Sequence, residues 1–160
     1  AAAFAATERR PLETMAFRLE RVRLEPRDSA GFTQADLQRQ LAENDDARSH
    51  GMAAIGLSWR KRADKPDHRI DLPALIFNGG EAGLLLLPGE IYVEYQLAAQ
   101  AAAKDGFVVT LGYGDSAAGY LPIERAWTEN DSNLRDWCWI APGMEARMRA
   151  AFTKLLAPDP

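Results

Sequence analysis

The chain has 160 residues, 47% of them hydrophobic and 26% charged, with 19 Lys and Arg against 23 Asp and Glu and a formal net charge of −4. That length suits one globular domain of mixed composition, and a mildly acidic balance without a basic tract argues against nucleic acid as a partner. No apolar run approaches the eighteen or so residues of a membrane helix; the lone Cys138 excludes an internal disulfide, and two histidines, His50 and His68, leave little material for a His-rich metal site or a His-based triad.

The Ala-rich start, Ala1 to Ala6, has neither an initiator Met nor a basic region, so it does not read as an intact signal peptide. Residues 1–10 are expected to be disordered, and the chain to have been trimmed or cut from something longer. Met15 to Leu24 alternates like a strand, Phe17 and Leu19 on one face and Arg18 and Glu20 on the other; the alternation slips near Arg21, which suggests a β-bulge. Thr33 can cap a helix running to about Glu43, with Asp36 in its first turn. A second helix is expected from about Asp46 to Arg62, with Met52, Ile55 and Trp59 on one face. Gly51 and Gly56 weaken it by about 1 kcal/mol each relative to alanine.

Ile70 to Phe77 and Ala82 to Leu87 are apolar runs around Asn78-Gly79, a strong hairpin signal. Leu84 to Leu87 has no polar face, so that strand is expected to be covered on both sides. Ile91 to Lys104 reads as a helix, Phe107 to Leu111 as a buried strand, and Gly112 to Gly119 as a loop of small residues. A Trp-rich irregular stretch runs from Trp127 to Ile140. Pro142 then opens a last helix with the apolar stripe Met144, Met148, Ala151, Phe152 and Leu155. The order predicts a single α/β domain: a mixed sheet containing a hairpin and a strand–helix–strand crossover, with helices packed on it.

The most informative candidate is Glu90, at the junction between a buried strand and a helix start, where α/β folds tend to place ligand groups. It can equally be a first-turn acid stabilising its helix. The loop from Gly112 to Pro122 emerges beside it if the two flanking strands pair in parallel. Its glycines could cradle a phosphate but form no nucleotide motif; the alternative is a turn in which Tyr113 and Tyr120 pack as aromatics. His50 and His68 read as surface histidines, Cys138 as an inert buried thiol, and Asp115-Ser116 lacks a nucleophile elbow. Trp127, Trp137 and Trp139 form either an aromatic wall for a ligand or part of the core.

In order and spacing, Leu87-Pro88-Gly89-Glu90, Tyr92 to Ala98, Gly112-Tyr113-Gly114-Asp115 and Gly119-Tyr120-Leu121-Pro122 resemble the neutral/alkaline ceramidase family, and its bacterial ceramidase-like members most closely. The resemblance covers residues 70–156 well and reaches more loosely back to Met15. It implies a zinc-dependent amidase that cleaves the N-acyl bond of ceramide to a fatty acid and sphingosine. The family's zinc is held by two histidines, a glutamate and a tyrosine. By resemblance the glutamate falls on Glu90 and the tyrosine on Tyr120. The two histidines belong to a region N-terminal to this sequence.

A Gly-Gly-Tyr-Glu segment, whose tyrosine helps stabilise the oxyanion, is replaced here by Asn130-Asp131-Ser132-Asn133. The expectation is a C-terminal portion of such a hydrolase, holding part of the metal shell and inactive alone. Its partners would be the N-terminal part of the same catalytic domain and a lipid-like amide, in the secreted or envelope setting the family often occupies. Separation from that part would leave an exposed apolar patch and a route to self-association. The competing expectation is a non-catalytic binding domain of the same fold that uses the Trp-rich surface.

Overall fold

Asn78 and Gly79 adopt φ of 48° and 66°, the left-handed region that a tight hairpin needs and that Asn and Gly tolerate best. The turn brings β2 (Ile70–Phe77) antiparallel to β3 (Ala82–Pro88). β1 (Met15–Val22) lies antiparallel along the other side of β2. After α4 (Val93–Ala102), β5 (Phe107–Gly114) returns parallel to β3. The computed structural model, which describes residues 1–43 and 45–157, is therefore an α/β fold around a mixed sheet ordered β1-β2-β3-β5. A short α1 (Ala2–Ala5) precedes the sheet and buries no residue.

The two faces of the sheet differ sharply. Ile70, Leu72, Ala74 and Ile76 of β2, Leu85 and Leu87 of β3 and Val108 of β5 are buried on one face. That face lies beneath α4 and α6 (Met144–Leu155). All five residues of the expected α6 stripe are buried, although the helix starts at Met144, after Gly143 at φ 91°, rather than at Pro142. Tyr95 of α4 meets Phe152 of α6 edge-on, with ring centres 6.1 Å apart, and its hydroxyl donates to the Pro122 carbonyl at 2.9 Å.

Among the described residues no helix packs extensively on the opposite face. Phe17, Leu75, Leu84 and Val109 lie in one row across the strands, and Met15, Phe77, Ala82 and Phe107 in the next. Leu19 with Pro73 and Leu86 with Leu111 continue the apolar surface. Phe17, Phe107 and Met15 are 65%, 63% and 60% exposed. The Leu84 to Leu87 run is thus covered on one side only, against expectation: Leu85 and Leu87 enter the core while Leu84 and Leu86 face outward, half-buried.

β1 runs in regular register from Met15 to Val22, without the expected bulge. Its inward face is the one bearing Ala16, Arg18, Glu20 and Val22. The charged members are accommodated because they reach the end of α6: Arg18 donates to the Leu155 carbonyl at 2.7 Å, and Lys154 pairs with Glu20 at 3.2 Å. Their stems pack while their heads stay polar. The register irregularity lies instead between Leu86 and Pro88 in the β3–β5 pair.

α2 (Gln34–Glu43) and α3 (Ala47–Ala63) pack on each other. The Asp46 side chain caps α3 by accepting from the Ser49 amide at 2.8 Å. The buried stripe of α3 is Ala53, Gly56, Trp59 and Ala63, not Met52, Ile55 and Trp59; Ile55 is exposed. Gly56 reflects close packing, since a β-carbon there would stand 2.6 Å from the Trp139 indole nitrogen. No helix among the described residues is long and apolar enough to cross a membrane.

At the β5 edge, the Gln96 side chain from α4 donates to the Val108 carbonyl and accepts from the Thr110 amide, at 2.9 and 2.8 Å. One side chain thereby satisfies the donor and acceptor that an adjacent strand would otherwise engage.

Candidate functional site: Glu90 between two tyrosines

The irregularity at the end of β3 aims the chain at the site. Gly89 takes φ 67°, and a β-carbon there would meet the Gly119 carbonyl oxygen at 2.4 Å, so only glycine allows this crossing. The chain then forms β4 (Glu90–Ile91), which pairs in parallel with β6 (Tyr120–Leu121). Glu90 donates its amide to the Gly119 carbonyl at 2.8 Å, and Tyr120 donates its own to the Trp137 carbonyl at 2.6 Å. In this register Glu90 stands directly opposite Tyr120, and cross-strand partners project to the same side of a pleated pair. Glu90 therefore lies on a strand ahead of α4, not in that helix's first turn. The first-turn acid is Glu94, which pairs with Arg125 at 2.9 Å.

The Glu90 carboxylate lies beside two phenols, Tyr120 and Tyr113. Burial first, and then the neighbouring Glu90 carboxylate, raise the Tyr120 hydroxyl above its ordinary value. For Tyr113 the Glu90 carboxylate is the leading cause. Both phenols are consequently neutral at neutral pH. Tyr120 also packs edge-on against Tyr92, with ring centres 6.1 Å apart. Burial pushes the Tyr92 hydroxyl up to about 12, with Asn133 and Asp131 beside it. Among the described residues the buried Tyr92 hydroxyl has no hydrogen-bond partner.

Tyr113 is the member that inspection of the sequence missed. It belongs to β5, which extends to Gly114 and so takes in three residues expected to be loop. Its φ of 60° is left-handed, a conformation that costs a side-chain-bearing residue roughly 1–2 kcal/mol. It is held there by donating its amide to the Gly89 carbonyl at 2.7 Å. The flanking glycines were the available signal. A β-carbon on Gly114 would stand 2.8 Å from the Leu87 carbonyl oxygen, so the pattern Gly-Tyr-Gly marks close approach of β5 to the end of β3 rather than a flexible turn.

The other candidates lie apart from this cluster. His50 is exposed on α3, and His68 sits ahead of β2, its protonation disfavoured by burial and then by Arg62, Arg23 and Lys65. Trp139 is buried, while Trp127 and Trp137 are half-buried and packed against the core. Arg27 organises this stretch: its guanidinium lies 3.7 Å from the Phe32 ring centre and 5.0 Å from that of Trp127, and it donates to the Leu134 and Cys138 carbonyls. Cys138 is fully buried, and burial pushes its thiol up to about 11. Labelling of Cys138 by a thiol reagent at neutral pH is accordingly expected to be slow in the native protein and to accelerate on urea unfolding; rapid native labelling, followed by absorbance, would contradict that burial.

As a metal centre the cluster is incomplete. Glu90 and Tyr120 offer two oxygen donors on neighbouring strands, which suits part of a zinc shell, but four-coordinate sites recruit at least three protein ligands. Among the described residues no three His, Cys, Asp or Glu side chains come together to hold a metal. Comparison of the chain with protein-family models, curated proteins and solved structures gave no match.

Proposed function

We propose that this chain forms part of a ceramidase-like, zinc-dependent amidohydrolase, in which Glu90 and Tyr120 are two of the metal ligands and the remaining donors come from protein outside this sequence. The observation that supports the reading is the side-by-side placement of Glu90 and Tyr120 on β4 and β6. The two are 30 positions apart in sequence, and α4 and β5 intervene between them. When bound, zinc supplies a Lewis acid for an amide carbonyl and lowers the pKa of an attacking water. The chain's own task is to hold the donors. Tyr113 flanks the Glu90 carboxylate, and Tyr92 packs edge-on against the Tyr120 ring. A ceramide-type N-acyl amide is the substrate that this proposal names.

Two measurements test it. Calorimetry on the 160-residue chain is expected to show weak zinc binding without a stoichiometric step, and no hydrolysis of a fluorescent ceramide. In a polypeptide that completes the shell, Glu90→Gln and Tyr120→Phe should each lower zinc content and amidase rate. The loss should exceed the 10–100-fold typical of removing a mere supporting partner of a ligand. Tight stoichiometric zinc binding by the chain alone would contradict the shared shell. Unchanged zinc content and rate in both variants would remove these residues from it.

A further inference from the structure

Away from the proposed site, a cavity of about 290 Å³ opens on the seam where α2, α3 and the Trp-rich stretch meet. That volume is at the small end of ligand pockets, which run from roughly 300 to 1,000 Å³. Its floor is apolar: Phe32, Leu37 and Trp139 are buried and Met52 is half-buried. Arg48, Arg135 and Asp136 stand exposed at its mouth. One wall is already fixed. The Gly31 amide donates to the Asp36 carboxylate at 2.9 Å, and the Gly31 carbonyl accepts from the Gln40 side chain at 2.8 Å, so the loop ahead of α2 needs no reordering to receive a ligand.

We infer that this cavity binds a small organic carboxylate, with an apolar ring or short chain on the floor and the carboxylate between the guanidinium groups of Arg48 and Arg135. The two arginines carry the inference. Arg135 makes no side-chain hydrogen bond or ion pair with any described residue. Arg48 pairs with Asp136 at 3.4 Å, between two largely exposed side chains, whereas a strong charge-assisted bond runs to about 2.7–2.9 Å. Asp46, the other acid near Arg48, is engaged in capping α3 and does not line the cavity. Both guanidinium forks are therefore open to a ligand, and their planar donors match a carboxylate at two points. Two arginines against one aspartate also make the mouth net positive in a chain whose formal charge is −4. The floor decides the rest of the ligand. A bare phosphate or sulfate gains nothing from apolar walls, while a ring or alkyl chain leaves water there.

Titration of the chain with phenylacetate at neutral pH, followed by amide and indole chemical shifts, tests the site. Saturable shifts are expected at Gly31, Ser49, Met52 and the Trp139 indole, with a dissociation constant of about a millimolar, as suits a ligand of this size. Phenylacetamide, which keeps the ring, and acetate, which keeps the charge, should each bind about tenfold more weakly or worse. Arg135→Ala breaks no side-chain hydrogen bond or ion pair in the folded chain and should weaken binding about tenfold. Asp136→Asn releases Arg48 and should tighten it several-fold. Lys65→Ala, the same loss of charge just past the other end of α3, should change nothing. Shifts that do not saturate or that fall elsewhere, phenylacetamide bound as tightly as phenylacetate, or affinity that Arg135→Ala leaves unchanged would overturn the inference. Glu90→Gln should bind phenylacetate as the native chain does, so the outcome stands apart from that of the zinc proposal.

Discussion

Gly119→Ala is expected to destabilise the protein by about 3 kcal/mol, combining the left-handed backbone cost with overpacking. Gly119 adopts φ 75°, and a β-carbon there would sit 2.4 Å from the Trp137 carbonyl oxygen and 3.2 Å from the Trp139 ring. Neither neighbour can give way cheaply. The Trp137 carbonyl accepts the Tyr120 amide, the Gly119 carbonyl accepts the Glu90 amide, and Gly119 bridges to Cys138. Any shift therefore pulls Glu90 away from Tyr120. Gly79→Ala separates the two contributions. Gly79 has φ 66° with nothing near its missing β-carbon, so only the conformational cost of roughly 1 kcal/mol applies. Urea unfolding of both variants measures the difference, and equal losses would show that the crowding at Gly119 is relieved by relaxation.

Phe152→Ala should cost about 3–5 kcal/mol, the range for truncating a buried aromatic. Phe152 is fully buried on α6 and meets Tyr95 of α4 edge-on. Because the sheet is covered on one face only, this helix layer encloses its core without a second layer to compensate. With total stabilities of 5–15 kcal/mol being usual for a domain, the variant should be close to unfolding at room temperature. Phe17→Ala, the same change on the open face, should shift the midpoint little in dilute solution. A small loss at Phe152, read from thermal or urea unfolding, would mean that the α4–α6 layer is not packed as described.

Where turn and cap chemistry is local, the elements were legible. Asn78-Gly79 marked the hairpin, Asp46 the start of α3, and the spacing from Met144 to Leu155 the buried side of α6. Legibility failed where tertiary context decides. In β1 the polar residues turn inward because the end of α6 supplies partners for Arg18 and Glu20, which no alternation rule anticipates. The run from Leu84 to Leu87 looked like a strand buried on both sides, and nothing in its composition distinguishes that from a strand awaiting a second layer. At the candidate site, the parallel pairing around α4 was readable from element order. Glu90 stood out by its place between a buried strand and a helix start, the choice of Tyr120 came from resemblance to a family, and Tyr113 stayed hidden because the strand was expected to end at Leu111 whereas it runs to Gly114.

Gln96 has a consequence for how copies of this chain can add to one another. By engaging Val108 and Thr110 it blocks the middle of the β5 edge to an incoming strand, whereas β1 forms the opposite margin of the sheet. There Arg18, Glu20 and Arg21 act as the charged sentries that discourage ribbon-like polymerisation. Gln96→Leu would remove the guard while keeping the bulk, and fibril formation monitored by thioflavin fluorescence should then begin at lower protein concentration.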